Sequence, residues 1–596
     1  MVSTKVPFLH FEFANVEGKK HPVIFSDPLR IIQIHSVKEI IPALREIEHE
    51  VSKGFYAAGY LSYEAAPAFD PAFSVKEGGK MPLLWFGLFR EPASLCSLPQ
   101  SDGTFTVSNW EPDTSLNSYN HCVQAVRDAI ERGDTYQVNY TMRLRAKFSG
   151  DDLGFYRKLS RAQNSNYSAY LNTGRFRVLS ASPELFFRWD GETITTRPMK
   201  GTIKRGRWPQ EDLRHRRWLE QSEKNRAENM MIVDLLRNDL GRVAEKGSVQ
   251  VTGLCEVERY PTVYQMTSTI KAATNDHITL RDILSALFPC GSITGAPKVS
   301  TMNIIADLES SPREVYCGAI GYITPQGEAI FNVPIRTTVI DTETGIAEYG
   351  VGGGITWDST AEGEYEEVLT KAVLLTEEHP EFQLLESLRL ENGKYWLLER
   401  HLQRLQASAD YFQFHVCPAK VQKSLSEYAR MYPEDVYKVR LLVSKEGTIR
   451  VEGQPVKPIG DACPVALASE PISGQNRFLY HKTTNRGMYE SQRRKHPNVF
   501  DVLLWNEAGE LTEFTIGNLV VEMNGKKFTP SQECGLLAGT LRAELLDSGE
   551  IEERVLTLDD LKTIDSIWLI NSVRGWVPVR LLKQTVSSDS LTPSPV

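Results

Sequence analysis

The sequence predicts two units in tandem: an α+β unit with large mixed β-sheets over residues 1–375, and an α/β unit over residues 382–586. Three observations lead there. At 596 residues the chain exceeds what a single hydrophobic core supports. Strand-like and helix-like segments alternate along both stretches. Between them a helix-like stretch, 364–375, runs into Thr376-Glu377-Glu378-His379-Pro380-Glu381, where charge and a proline stop it and mark a linker over 376–381.

In the first unit, residues 54–63, 177–181, 319–324 and 329–333 carry strand-like apolar patterns, and 218–240 reads as one helix. In the second, 382–390, 437–443, 499–505 and 519–523 read as strands, and 399–409 and 542–546 as helices. The Ser/Thr/Pro-rich end, 587–596, has too little apolar content to fold and is expected to be a disordered tail.

Hydrophobic residues at 41% and charged residues at 24% describe an ordinary globular protein. The net charge of −9 is spread along the chain with no basic stripe, which argues against nucleic acid as the main ligand. A small anionic substrate would need locally placed cations. The eight cysteines are scattered without a C-x-x-C pair, which fits a reducing compartment and no structural zinc. Residues 1–20 lack an apolar signal core, and no apolar run approaches the roughly 20 residues of a membrane helix. A cytoplasmic location, with no membrane partner, is the expectation.

Two lysines stand out. Lys200 lies in Arg197-Pro198-Met199-Lys200-Gly201-Thr202, bracketed by Pro and Gly, with an amine where a substrate could approach. Lys482 lies in Tyr480-His481-Lys482-Thr483-Thr484-Asn485-Arg486. In the first unit Glu228 opens an apolar helical run, and Glu364 and Glu367 follow Gly352-Gly353-Gly354. Singly, each glutamate reads as a solvated acid on a helix. Two such carboxylates brought together could hold Mg²⁺, which keeps its waters and takes one or two protein carboxylates. The three glycines would let backbone N–H groups approach a carboxylate, or would simply form a tight turn. Arg336 could clamp a carboxylate bidentately. The segment 291–298 lacks the G-x-x-x-x-G-K-[ST] order, which excludes a nucleotide phosphate loop.

In order along the chain come Gly133-Asp134-Thr135-Tyr136-Gln137-Val138-Asn139, Ser182-Pro183-Glu184, Pro198-Met199-Lys200-Gly201-Thr202, and the Glu228 helix ending Arg237-Asn238-Asp239. Residues 291–298, Tyr316-Cys317-Gly318-Ala319 and 352–367 follow. This set resembles the chorismate-utilising enzymes, among them anthranilate, isochorismate, salicylate and aminodeoxychorismate synthases, over residues 50–375. The resemblance implies Mg²⁺ held by Glu228 and Glu364, with Glu367 a third candidate. It implies substrate contacts from Thr294, Tyr316, Arg336, Gly352, Gly353, Gly354 and Lys371, and proton transfer by Glu184. A lysine at position 200 is similar to the aminodeoxychorismate-forming members, whereas members that make anthranilate carry a small residue there. Lys200 would then act covalently: its neutral amine adds to the chorismate ring as the C4 hydroxyl leaves, and ammonia enters at C4 and expels it. None of the cysteines sits in a G-x-C-x-G elbow, so the resemblance implies a separate glutamine amidotransferase subunit or free ammonium as the nitrogen source.

In the second unit Lys482 could anchor an aldehyde cofactor, Glu513 could keep a pyridine nitrogen protonated, and Gly539, Thr540 and Leu541 open a helix whose backbone N–H groups could meet a phosphate. Arg404 could add a charge-assisted contact. With Asn571-Ser572-Val573-Arg574-Gly575, these segments resemble fold-type IV pyridoxal phosphate enzymes over residues 382–580: branched-chain and D-amino acid aminotransferases, and aminodeoxychorismate lyase. The resemblance implies pyridoxal 5'-phosphate as cofactor, and by analogy a homodimer through this domain. Lyase and aminotransferase are not distinguished by this half. The pairing favours a lyase that consumes the first unit's product and yields 4-aminobenzoate, a folate precursor. The alternative is an anthranilate-type synthase fused to a branched-chain or D-amino acid aminotransferase.

Overall fold

The computed structural model describes residues 6–94, 98–99, 101, 103–376, 380–460 and 463–582. The expected tail at 587–596, residues 377–379 of the linker, and Cys96 lie outside the described residues. Two compact units are formed: residues 1–205 with 215–379, and residues 206–214 with 380–596. The sequence reading places 206–214 in the first unit; its tertiary contacts put it in the second. The seven described cysteines are free thiols. No helix among the described residues is long and apolar enough to cross a membrane.

The first unit contains two ten-stranded sheets. They are antiparallel rather than mixed, because their strands are joined by hairpins and long returns instead of parallel crossovers. Alternation along each strand decides which side chains face inward. In Phe8–Ala14, for example, Leu9, Phe11 and Phe13 point one way, into a cluster with Tyr60, Trp85 and Ile320 of the other sheet. The two sheets therefore face each other across an aromatic core. The outer face of one is covered by the helices Leu116–Glu131, Asp152–Gln163 and Ala361–Thr376, and that of the other by Val37–Ser52, Glu223–Leu240 and Leu280–Leu287.

The single helix expected over 218–240 is two, Pro209–Gln221 and Glu223–Leu240. The break is at Ser222, whose side chain accepts a hydrogen bond from the Asn225 N–H and so caps the second helix, an interaction of about 1 kcal/mol. The glycines 352–354, expected as a loop, lie inside the strand Ile346–Ile355, paired with Thr141, Tyr140 and Asn139. A Cβ on Gly352 would stand 2.1 Å from the Tyr140 carbonyl oxygen, so this strand pair closes only on glycine there.

The second unit has a four-stranded antiparallel sheet and an eight-stranded mixed one. The smaller sheet packs on the amphipathic helices Leu398–Phe412 and Pro418–Met431. In the larger, six strands close into a ring: Leu511–Phe514, Asp501–Trp505, Cys463–Leu467, Gly575–Leu581, Ser566–Asn571 and Gly517–Met523, the last pairing back to the first. Val465, Leu503, Phe514, Leu519, Leu569 and Val577 are among the buried residues that pack together there.

Candidate active sites

In the first unit, a cavity of about 270 Å³ brings together Glu184, Lys200, Glu228, Tyr316, Arg336, Gly352–Gly354, Glu364, Glu367 and Lys371. Local structure explains how each arrives. The strand Met199–Lys204 pairs with Val263–Ala273, but its register slips between Met199 and Thr202. This bulge falls on Lys200 and Gly201, whose φ is +94°, and it re-aims the lysine into the cavity. Lys200 is only 8% exposed, and its Nζ lies 3.5 Å from Glu228 Oε1 on the helix Glu223–Leu240. Gln137 Nε2 donates to the same oxygen at 2.5 Å.

Gly354 underlies this cluster. A Cβ there would stand 2.0 Å from Gln137 Nε2, 2.8 Å from Glu228 Oε1 and 2.8 Å from Lys200 Nζ. We expect Gly354→Ala to push the lysine out of line and to lower the first unit's turnover about 10²-fold, the usual cost of ångström-scale misplacement. Steady-state rates together with a thermal melt would check this, because the fold should survive.

Glu184 is 2% exposed and accepts a 2.6 Å hydrogen bond from Ser292 Oγ. Burial pushes its pKa up to about 7, against the opposing effects of that hydrogen bond and of Lys200. Glu364 rises to about 7 through burial and the nearby Glu367 charge, although Ser359 Oγ donates to its Oε1 at 2.6 Å. Its Oε2 is buried without a partner. Burial also raises Glu367, but the Lys371 charge and hydrogen bond outweigh it, with Lys200 and Lys224 assisting, and the net shift is downward.

Arg336 has a φ of +51°, a conformation that L-residues rarely adopt. It is buried, with only a 3.4 Å hydrogen bond to Gln265 Oε1 and no ion pair among the described residues. Burial lowers its pKa. A buried guanidinium without a counter-anion could receive a carboxylate bidentately. The Tyr316 ring lies over Gly350, where a Cβ would approach it to 2.4 Å. Lys371 is largely spent, donating to the Gly352 carbonyl at 2.8 Å and pairing with Glu367 at 2.6 Å.

Thr294 is a correction. It does not line the cavity; it is fully buried, and its hydroxyl donates to the Cys290 and Gly291 carbonyls at 3.1 and 3.3 Å. Its carbonyl also accepts the Asn139 N–H, so it fixes the wall rather than a ligand. Gln137, Lys224, Gln265 and Ser292 were missed. Gln137 and Ser292 lie within quoted motifs, but only the tertiary fold shows that they orient Glu228 and Glu184.

Among the described residues no group of three or more His, Cys, Asp or Glu is arranged to hold a metal ion. The two-carboxylate set Glu228 and Glu364, all hard oxygen and with Glu364 Oε2 unpartnered, fits a Mg²⁺ that keeps water and substrate oxygens. Glu367 fits less well, being committed to Lys371.

In the second unit a cavity of about 530 Å³ gathers Arg404, Lys482, Glu513, Gly539, Thr540, Leu541 and the loop residues Asn571–Arg574. Burial first, then the Arg404 charge, lowers the Lys482 pKa to about 7. Glu513 rises to about 7 through burial, while Tyr489 Oη donates to its Oε1 at 2.7 Å. Gly539 caps the helix Thr540–Asp547, and a Cβ on it would meet Asn518 Oδ1 at 2.0 Å. The first-turn N–H groups of that helix lack intrahelical acceptors. Arg404 is held by Glu386, Nε to Oε1 at 2.9 Å and Nη2 to Oε2 at 2.5 Å, with Nη1 donating to Ala538. That pairing holds the Glu386 carboxyl at about 2 despite its burial.

A reactive amine, a buried carboxyl and a glycine-led helix start around one cavity fit pyridoxal phosphate. Lys438, Arg440, Arg486 and Tyr489, missed in the sequence, also line it. Arg486 lies only four residues beyond Lys482, and that spacing was the available signal.

Residues 96–377 match the family described as chorismate binding enzyme, and residues 383–582 match amino-transferase class IV. Aminodeoxychorismate synthase component 1 of Escherichia coli (strain K12) is 43% identical over 273 residues, which are 46% of this chain and 60% of that protein. Anthranilate synthase component 1 of Aquifex aeolicus (strain VF5) is 39% identical over 45% of this chain and 54% of that protein. The chain thus spans about 60% of the length of the aminodeoxychorismate synthase component 1 relatives it matches, and about a third of the longer aminodeoxychorismate synthases. The crystal structure of anthranilate synthase component I from Streptococcus pneumoniae TIGR4 superposes with a TM-score of 0.50 at 25% identity, covering 63% of this chain and 94% of that one. The chain joins a domain of the chorismate binding enzyme family to a fold-type IV domain of the class IV amino-transferase family.

Proposed function

We propose that the first unit aminates chorismate at C4 to give 4-amino-4-deoxychorismate, and that the second eliminates pyruvate from that product to give 4-aminobenzoate. The observation that carries the first half is Lys200 on its bulge, aimed into the cavity beside Glu228. Both aminodeoxychorismate and anthranilate synthases resemble this domain, so overall likeness does not choose between them; the Lys200 amine in the cavity supports the first.

In this reading Arg336 receives a substrate carboxylate and the Tyr316 ring walls the ring's plane. The Lys200 amine forms a C–N bond to the ring as the C4 C–O bond breaks. Glu184, with a pKa about 7, gives the departing hydroxyl its proton, and water leaves. Ammonia then bonds at C4, the Lys200 C–N bond breaks, and Glu184 recovers a proton from the incoming nitrogen. Glu228 and Glu364 would hold Mg²⁺, which would supply positive charge against a substrate carboxylate. Glu228→Gln is expected to raise the Mg²⁺ concentration for half-maximal rate by about 10-fold or more while leaving the melting temperature nearly unchanged. An unaltered metal titration would remove Glu228 from the ligand set. Ammonia would come from a separate glutamine amidotransferase or from ammonium salts.

In the second unit Lys482 would hold the cofactor aldehyde and, once displaced by substrate, move protons as the ring aromatises. Glu513 would face the pyridine nitrogen, and Gly539, Thr540, Leu541 and Arg404 the phosphate. Pyridoxal phosphate supplies an electron sink when bound. The lyase is preferred to the aminotransferase because it uses the first unit's product. The test is ¹⁵N-ammonium incorporation: the reading expects label in the amino group of 4-aminobenzoate with stoichiometric pyruvate. Label in the amino group of anthranilate, or transfer of substrate nitrogen to a keto acid, would overturn it.

A further inference from the structure

The segment 206–214 follows the Lys200 strand in sequence, yet it belongs to the second unit. Gly206 begins it with a backbone that tolerates no side chain, since a Cβ would lie 2.1 Å from the Asp212 N–H nitrogen. Its N–H donates to Asp212 Oδ1 at 2.9 Å, and its carbonyl accepts from buried Tyr411 Oη at 2.7 Å. Trp208 is 4% exposed and stacks on Tyr480, with ring centroids 5.0 Å apart and planes at 29°. Arg207 lies over the rings of both, 4.7 Å from Trp208 and 5.4 Å from Tyr480. It also donates to Tyr480 Oη at 3.1 Å and to the Gly474 carbonyl at 3.3 Å, while Glu211 holds its other face.

These partners lead directly to the cofactor cavity. Tyr480 and His481 are the two residues before Lys482, and the Tyr411 ring that binds the Gly206 carbonyl packs 4.3 Å from the His481 ring. Trp208 shares its apolar cluster with Tyr480, Leu479 and Tyr489, and Tyr489 is the hydrogen-bond donor to Glu513. One short segment therefore backs both the turn that carries the reactive lysine and the side chain that holds the buried glutamate. Strand pairing on that turn is short: the Lys482 carbonyl accepts the Leu385 N–H, Thr484 exchanges hydrogen bonds with Gln383, and an isolated bridge joins Thr483 to Leu384.

We propose that Trp208 and Arg207 are positioning residues for Lys482, supplied to the pyridoxal phosphate site by a segment that interrupts the other domain's sequence. The proposal rests on the cofactor reading given above. A ring at position 208 stacked on Tyr480, with the Arg207 guanidinium against both rings, resists rotation of the 480–482 turn, which keeps the Lys482 amine directed into the cavity.

The experiment uses the full chain and titrates pyridoxal 5'-phosphate, reading absorbance and the circular dichroism that a rigidly held cofactor acquires. Trp208→Ala is expected to weaken cofactor binding about tenfold and to reduce that dichroism even at saturation. Trp208→Phe, which keeps a stacking ring, should restore both. Arg207→Gln, a milder change that leaves the core filled, should reduce the dichroism with a melting temperature close to that of the unaltered protein. Unaltered affinity and dichroism in both Trp208→Ala and Arg207→Gln would overturn the proposal. Loss in Trp208→Ala without recovery in Trp208→Phe, combined with an unaffected Arg207→Gln, would also overturn it. If the unaltered protein itself acquires no cofactor signal, the cofactor reading fails instead.

Discussion

Replacing Lys200 by alanine is expected to lower ammonium-supported amination of chorismate on the order of 10³-fold, the scale of removing a group that acts directly on the reacting atoms. Substrate and Mg²⁺ binding should survive. Arg336 and Tyr316 are untouched by the change, and Glu228 keeps the Gln137 hydrogen bond that orients it. The side chain removed is nearly buried, pairs with Glu228 at 3.5 Å and lines the cavity, so the variant loses an ion pair and enlarges a space that already exists. The check is a comparison of kcat with the equilibrium binding of chorismate in the same variant. Full aminodeoxychorismate formation by Lys200→Ala would remove covalent catalysis from the account.

Lys482→Ala carries the second large effect. The variant should lose the absorbance of covalently held cofactor and release of pyruvate together, while the first unit continues to aminate. A pH dependence accompanies it in the unaltered protein. Burial and the Arg404 charge bring the Lys482 pKa from the ordinary lysine value to about 7. A lowered base loses its proton earlier as pH rises, so the reactive neutral amine is already half-populated near pH 7 and dominant above it. The rate of covalent cofactor capture should therefore rise through pH 6–8 and level off there. A rate still climbing toward pH 10, as for an exposed lysine, would show that the amine is not in the environment described here.

Much of this was legible in the sequence because motif order survives folding. Lys200, Glu228, Glu364 and Arg336 are distant along the chain and weak signals singly, but the order of their segments points to one kind of site, and they line one cavity. The errors fall where long-range contacts decide. Gly352–Gly354 read as a loop because glycine marks turns locally, yet here the neighbours require it: Tyr140, Gln137 and Lys200 leave no room for a side chain on the strand. Thr294 belongs to the right segment but turns its hydroxyl into the wall. Ser222 was read through as helix, although a serine before a helical run is a cap signal. Residues 206–214 carry no local mark of their allegiance, since what places them is a tryptophan meeting Tyr480 some 270 residues later. The basic lining of the second cavity was likewise invisible, because Lys438 and Arg440 look like ordinary polar positions on a strand.

The most direct measurement incubates the full chain with chorismate, Mg²⁺ and ammonium, with and without added pyridoxal 5'-phosphate, and separates the products. The account predicts that aminodeoxychorismate accumulates in cofactor-free protein and is replaced by 4-aminobenzoate and pyruvate when the cofactor is supplied. Anthranilate as the main product, in either condition, would contradict it.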